Sequence, residues 1–389
     1  MANPKVLKVG LTDKSTSLPV KGQGVVLFHR TTATNVKFTF FSVNQLNKLS
    51  VDFSNTGVKV MAKEPLVDPT NTKGLIADEA ASYWFSLDSQ NQILMAGIGE
   101  PRMETTIYSY RLSADNKEFL ESLTYVVYDI GFTPLRILRD PITGKVPLTL
   151  KDTAWLTMDD IALGTIMAVA NLPATSQKLY NCIAGPMFSL TTPAFPDFYK
   201  AIERSIATPG CWCYETLKKK ATEFSKDRPN ILETYLRITL GQNNGESPGV
   251  PYVMEIWPAA HYSPIHSHAG AEAVIRVLEG GIHVDLYPYL SKEAAPFTGA
   301  NFVKGDVMWI SPTLNQTHQL KNLGTATCIT IQCYMYDGED DKHYDYFDYL
   351  DEKGVTQQYE PDSDMDFVEF KELMLEEWAT RSRSCCRRR

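Results

Sequence analysis

Apolar and polar positions alternate in short runs over the first third of the chain. Segments 36–43, 49–53, 58–62, 83–87, 93–96 and 106–110 are rich in β-branched and aromatic residues, with turn-forming residues at 54–57, 88–91 and 97–99. Period-two alternation puts successive side chains on opposite faces of a strand. Regular short strands with such turns predict a β-sandwich. The strand pattern continues at 125–128 and 135–138, with a turn at 140–144. Tyr83, Trp84 and Phe85 are expected to fill the sandwich core, the alternative being a surface for carbohydrate or a protein partner.

The period then changes. Residues 159–173 read as a short acidic-capped segment and linker. Phe195, Phe198, Tyr199, Ile202 and Ile206 recur at helical spacing, and 214–224 continues the helical pattern after the break at Pro209 and Gly210. Strand-like runs return from 234 to 336. Residues 337–352 are rich in Asp, Glu and Tyr, and 367–378 has the spacing of a solvated amphipathic helix. The expected organisation is a β-sandwich domain at 1–157, a linker at 158–194, helices plus a barrel at 195–352, and an acidic helix with a basic tail at 353–389. The fold class expected is mainly β.

Composition narrows the function classes. The 389 residues, 43% apolar and 22% charged, are ordinary for a globular protein and suit two domains. A net charge of -8 argues against nucleic acid as partner, because phosphate binding rests on clustered Lys and Arg. The amino terminus has no apolar core of signal-peptide type, no run is long enough to span a bilayer, and a cytoplasmic location is the default expectation. Seven irregularly spaced cysteines suggest reduced thiols rather than a disulfide framework. The basic terminus 381–389, with Cys385 and Cys386 among arginines, raises acylation and docking on anionic lipid as a minor alternative.

The chemistry concentrates at His266 and His268. Two histidines one residue apart on a strand face the same side, so both imidazoles can reach one metal ion. A downstream run of glycine turn, apolar strand and proline ends at His318, which a barrel would bring beside the pair. Three neutral imidazoles with open positions suit Fe(II), Mn(II), Ni(II) or Cu(II), and spacing does not choose among them. His261 and His283 are not needed as ligands.

The His-x-His pair, glycine turn, Gly-Asp turn, proline and His-x3-Asn resemble the two motifs of the cupins. Among cupins the chain is most similar to the thiol dioxygenases of the cysteine dioxygenase family. That resemblance implies a C-terminal jelly-roll barrel preceded by helices, with non-haem Fe(II) held by His266, His268 and His318. It also implies a small thiol and O2 as substrates. Tyr235 and Arg237 match the family's Tyr-x-Arg, which implies substrate binding, with the arginine clamping a carboxylate. Tyr334 falls at the active-site tyrosine. Gln332 stands where the family pattern has histidine, and Ala273 stands where animal members have the cysteine that crosslinks to the tyrosine, so no crosslink is expected. The stretch 83–99 resembles small β-sandwich modules found beside other domains, some of them ligand binding.

Alternatives remain at single positions. Glu272 completes the general cupin pattern His-x-His-x3-Glu, and as a fourth ligand it would make the site anionic and suited to non-thiol oxygenase or decarboxylase chemistry. Arg237 has the alternative reading of a barrel-surface ion pair, and Tyr334 reads equally as a core aromatic. An inactive metal-binding scaffold acting through the N-terminal sandwich is the third reading, favoured by Gln332.

Overall fold

A computed structural model describes residues 6–9, 14–32, 34–77, 80–128, 135–241, 251–268, 270–336 and 346–385. The chain divides into two compact units, one of residues 1–146 with 287–297, the other of 147–286 with 298–389.

The first unit is the expected β-sandwich. One antiparallel sheet runs in the order Val6–Val9, Leu135–Leu138, Gln23–Arg30, Ala81–Asp88, Ile93–Ile98, Thr106–Arg111. The other runs Ser15–Ser17, Leu123–Tyr128, Val36–Ser42, Lys48–Ser54, Gly57–Met61, Pro65–Leu66. The alternation decides which residues meet between the sheets: Val36, Phe38 and Phe40 from one strand, Leu49, Val51 and Phe53 from its neighbour, and Tyr83 and Phe85 from the facing sheet share one core. Edge-to-face pairs such as Phe28 with Phe53, ring centroids 5.2 Å apart, fix its geometry beyond what burial alone would. Trp84, between Tyr83 and Phe85, points the other way and is buried with Val25, Leu27 and Met95 in a separate cluster. Its indole donates to Thr105 Oγ1 at 3.2 Å. A Cβ on the neighbouring Gly97 would lie 2.2 Å from the indole ring, so only glycine fits under it. All three aromatics are therefore structural, as expected, but they serve two cores.

The second unit is a jelly-roll barrel made of two sheets. The larger runs in the order Ile166–Ala168, Thr149–Lys151, Val307–Ile310, Glu272–Glu279, Cys328–Met335, Tyr252–Trp257, Leu236–Leu240, Met365–Asp366. The smaller runs Thr298–Val303, Gly281–Leu286, Thr317–Lys321, His266–Ser267, Phe347–Leu350, Thr356–Tyr359. The expected helices are present as Phe198–Ala207 and Trp212–Lys220, with Phe198, Ala201, Ile202 and Ser205 buried on the first. The acidic helix spans Phe367–Cys385 and packs on the first helix through Phe370, whose ring centroid is 6.0 Å from that of Phe198. Nothing of residues 386–389 belongs to the described part, and the side chains from 381 onward are likewise outside it.

Three boundaries differ from the sequence reading. Residues 158–194, expected as a linker, include a strand, Ile166–Ala168, paired in parallel with Thr149–Lys151, and a helix, Ala174–Ile183, that buries Ser176, Leu179, Tyr180 and Ile183. Residues 353–366, expected to lead only into the tail helix, add two strands to the barrel, Thr356–Tyr359 against Phe347–Leu350 and Met365–Asp366 against Ile238 and Thr239. Strands as short as Ile166–Ala168 and Met365–Asp366, or as polar as Thr356–Tyr359, carry too little apolar alternation to stand out in a sequence. Residues 287–297, within the expected barrel domain, count with the first unit.

Candidate metal centre

Two strands of the smaller sheet build the centre. His266 and His318 are direct partners across the antiparallel pair His266–Ser267 and Thr317–Lys321, which sets their side chains on one face. His268 lies one residue beyond the first strand. Its ring centroid is 5.0 Å from that of His266 and 5.1 Å from that of His318. One ligand nitrogen of each ring falls in a cluster within 4.8 Å, a set that one ion can gather.

Backbone carbonyls choose the tautomers. His266 Nδ1 donates to Pro264 O at 3.0 Å and His318 Nδ1 donates to Asn315 O at 3.0 Å. A carbonyl only accepts, so the proton sits on Nδ1 and the Nε2 lone pair is free for a metal. Asn315 adopts φ 62°, a left-handed conformation that asparagine tolerates better than most residues. Its side-chain amide donates to Trp309 O at 3.0 Å, locking the turn that aims the His318 carbonyl partner.

Burial holds the imidazoles neutral. Desolvation pushes His266 and His268 well below the ordinary histidine value, with the neighbouring histidines acting in the same direction. His318 is pushed down to about 4 by burial, against the hydrogen bonds from its own loop. Neutral, dry imidazoles in one cluster fit a divalent transition ion.

The ring faces a cavity of about 30 Å³ within the barrel. Each strand contributes side chains at alternate positions: Tyr235 and Arg237, Glu255 and Trp257, Gln332 and Tyr334, with Phe347 from the strand beside His266. Tyr235 stacks on Trp257, centroids 4.3 Å apart and planes at 20°. Phe347 packs 5.0 Å from the His266 ring and 5.5 Å from the His268 ring. Tyr334 lies 5.7 Å from His268; burial and the nearby Glu255 push its hydroxyl up, with Arg237 pulling against them. The phenol is therefore protonated at neutral pH.

Arg237 is one half of a buried ion pair. Its Nη1 donates to Glu255 Oε1 at 3.0 Å, across paired strands in which the two residues are direct partners. Burial works against the guanidinium charge, but Tyr334, Glu255 and Tyr235 more than offset it, and its pKa stands above the ordinary value. Desolvation raises Glu255 despite Arg237 and Gln332, both of which favour its carboxylate. Asp364 secures the same strand, accepting from the Arg237 backbone N–H at 2.7 Å and from Lys220 Nζ at 3.0 Å. Arg237 Nε is buried and meets no acceptor at hydrogen-bond geometry among the described residues, whereas the Gln332 amide serves the Glu255 carboxylate.

Glu272 does not face the centre. Its direct partner across the sheet is Met335, while Ala273 and Ile275 oppose Tyr334 and Gln332 on the cavity side. The Glu272 carboxylate instead accepts from Ser176 Oγ at 2.5 Å on the helix Ala174–Ile183. Period two makes the fourth-ligand reading untenable here: one residue of register separates the outer face from the inner.

Several neighbouring roles were not legible beforehand. Glu255 is the single charged residue in the otherwise apolar run 252–257, which was the available signal, but its partner is set by strand register. Asn322, part of the His-x3-Asn pattern, is a structural tie: its Nδ2 donates to Trp257 O at 2.8 Å and Ala326 O at 2.9 Å, and its Oδ1 accepts from Gly324 N at 3.0 Å. His261 is a satisfied core histidine, Nδ1 to Thr234 O at 2.9 Å. His283 pairs with Asp285 at 3.1 Å, away from the centre.

No protein-family model matches the sequence, and no curated protein matches it. Solved structures bearing cupin domains are similar at low identity. They include an oxalate oxidase in complex with the substrate analogue glycolate, 17% identical over 26% of this chain and 51% of that one, TM-score 0.22. They also include the cupin domain of Schizosaccharomyces pombe Cnp3, 16% identical over 26% and 65%, TM-score 0.22. A cupin superfamily protein from Desulfitobacterium hafniense is 13% identical over 27% and 79%, TM-score 0.20. The chain spans about half the length of the oxalate oxidase. Strand order and the three histidines by themselves define a jelly-roll barrel with a candidate metal centre. Among the described residues no helix is long and apolar enough to cross a membrane.

Proposed function

We propose that the barrel is a non-haem Fe(II) thiol dioxygenase, converting a small thiol and O2 to the sulfinic acid. The observation that carries this reading is a cluster of three neutral imidazoles to which Glu272 adds no carboxylate. A neutral ligand set leaves the charge of a divalent ion to be balanced by an incoming thiolate. His266, His268 and His318 would hold Fe(II), which when bound supplies a site for the thiolate and for O2. Both oxygen atoms of O2 end on sulfur, so that RSH and O2 give RSO2H, one rung of the thiol oxidation ladder.

The remaining residues position and exclude. The small cavity, walled by Trp257, Trp309 and Phe347, limits the substrate to a few heavy atoms and keeps bulk water out. Tyr334, held protonated, is a hydrogen-bond donor on the cavity wall. Gln332 can donate and accept but cannot carry a proton as histidine does, which leaves Tyr334 as the hydroxyl-bearing group beside the histidines.

Anaerobic Fe(II) loading followed by oxygen uptake with cysteine, 3-mercaptopropionate, cysteamine and 3-mercaptopropionamide tests this reading. Iron-dependent uptake with sulfinate detected by mass is the expected result. Absence of uptake with every thiol, in a folded and iron-loaded protein, would remove it.

A further inference from the structure

The buried pair Arg237 and Glu255 decides what the far end of a ligand in the cavity carries. A lone guanidinium on the wall would attract a carboxylate through two parallel hydrogen bonds. Here Glu255 Oε1 already takes Arg237 Nη1 at 3.0 Å, with both side chains about nine-tenths buried. The net charge of the pair is zero, and a second carboxylate brought against it meets Glu255 at close range in a dry site. Juxtaposed like charges are strongly disfavoured in such surroundings.

Hydrogen-bonding capacity is nevertheless left over. Arg237 Nε, on a cavity-lining side chain, is a buried donor with no acceptor at hydrogen-bond geometry among the described residues, while the Gln332 amide already serves the Glu255 carboxylate. A buried donor left unmet is costly, so a ligand that supplies an acceptor gains from it. Beside the neutral pair the missing partner is an acceptor and not an anion. An ammonium end would leave this donor unmet.

We propose that the cavity takes ligands whose far end is a neutral oxygen acceptor, an amide or hydroxyl, and that Glu255 is the specificity-determining residue that excludes carboxylates. This deepens the thiol dioxygenase reading and rests on it for the sulfur end of the ligand. Its charge argument is independent of sulfur.

The test uses the full-length protein loaded with Co(II), titrated with an isosteric pair, 3-mercaptopropionamide and 3-mercaptopropionate, with cysteamine as the cationic control. Binding is followed by thiolate-to-cobalt absorption, which needs no turnover. A second pair, glycolamide and glycolate, lacks sulfur and is followed by the cobalt d–d bands. The wild type is expected to bind each amide at least about tenfold more tightly than its carboxylate. Glu255→Gln, which leaves Arg237 uncompensated, is expected to invert that order. The double variant Arg237→Gln with Glu255→Gln removes both charges and is expected to restore the preference for the amide, though more weakly.

Amide preference in the glycol pair with no thiolate band would sink the thiol reading and leave the charge inference standing. Tighter binding of 3-mercaptopropionate than of its amide by the wild type overturns the inference while the thiol reading survives. So does tightest binding of cysteamine. If Glu255→Gln does not fold, the wild-type ranking and the double variant decide the matter, because a carboxylate preference in either contradicts the role given to Glu255. Absence of binding by all five ligands overturns both.

Discussion

His266 and His318 are register partners on adjacent antiparallel strands, their ring centroids 4.5 Å apart and their Nδ1 protons held by the carbonyls of Pro264 and Asn315. The pairing anchors two of the three candidate ligands in the sheet. Replacing His318 by alanine therefore removes one ligand without dissolving the strand pair. We expect the wild type to bind about one equivalent of Co(II) and to gain thermal stability in proportion to ligand excess. His318→Ala should lose both effects, as read by metal analysis and by the melting temperature with and without cobalt.

Glu272 offers a sharper discrimination, because the four-ligand alternative and the outward orientation predict opposite results. With its carboxylate on Ser176, Glu272→Gln should leave Co(II) affinity within about twofold of wild type. Stability should fall by about 1–3 kcal/mol from the altered buried hydrogen bond, measured by urea unfolding of the metal-free protein. A loss of metal affinity of tenfold or more would return Glu272 to the centre.

How much of this was legible depended on whether the deciding interaction was local. The sandwich strands and the helix at Phe198 announce themselves through periodicity, since burial of one face is a local requirement repeated along the chain. The His266 and His268 pair is equally local. Glu255 is different: its role comes from register with Arg237, eighteen positions away across a paired strand, and no spacing rule carries that. Phe347 was lost for another reason. The run Phe347, Asp348, Tyr349, Leu350 alternates as a strand, but its acidic, tyrosine-rich surroundings give only a compositional signal, and only pairing with His266–Ser267 places it at the cavity.

His261 gives the pH dependence. Burial lowers its pKa below 6.5, with the hydrogen bond to Thr234 opposing. Below 6.5 the unfolded chain takes up a proton at this position that the folded chain does not. Protons bound by the unfolded state exceed those bound by the folded, so stability increases with pH in that window. The contribution is fully present above 6.5 and is lost as the pH falls from 6.5 through the folded pKa. His261→Gln, compared with wild type in urea titrations from pH 7.5 to 5, should show a shallower decline. Equal slopes would mean that His261 titrates alike in both states.

The Arg237 and Glu255 pair should behave unlike a surface salt bridge when dissected. Removing one member of a buried pair strands the other as an uncompensated charge, at a cost of about 3–5 kcal/mol, whereas replacing both by apolar residues of similar size is often near neutral. Arg237→Met and Glu255→Met are each expected to destabilise in that range. The double variant should lose far less than their sum, a coupling read directly from a double-mutant cycle. The cavity raises a second consequence. Because Arg237 Nε meets no acceptor at hydrogen-bond geometry, the double variant also discards one buried donor without a partner, which works toward stability. A double variant as unstable as the worse single variant would mean that the pair holds the strands Leu236–Leu240 and Tyr252–Trp257 in register, and that its contribution to the barrel exceeds its electrostatics.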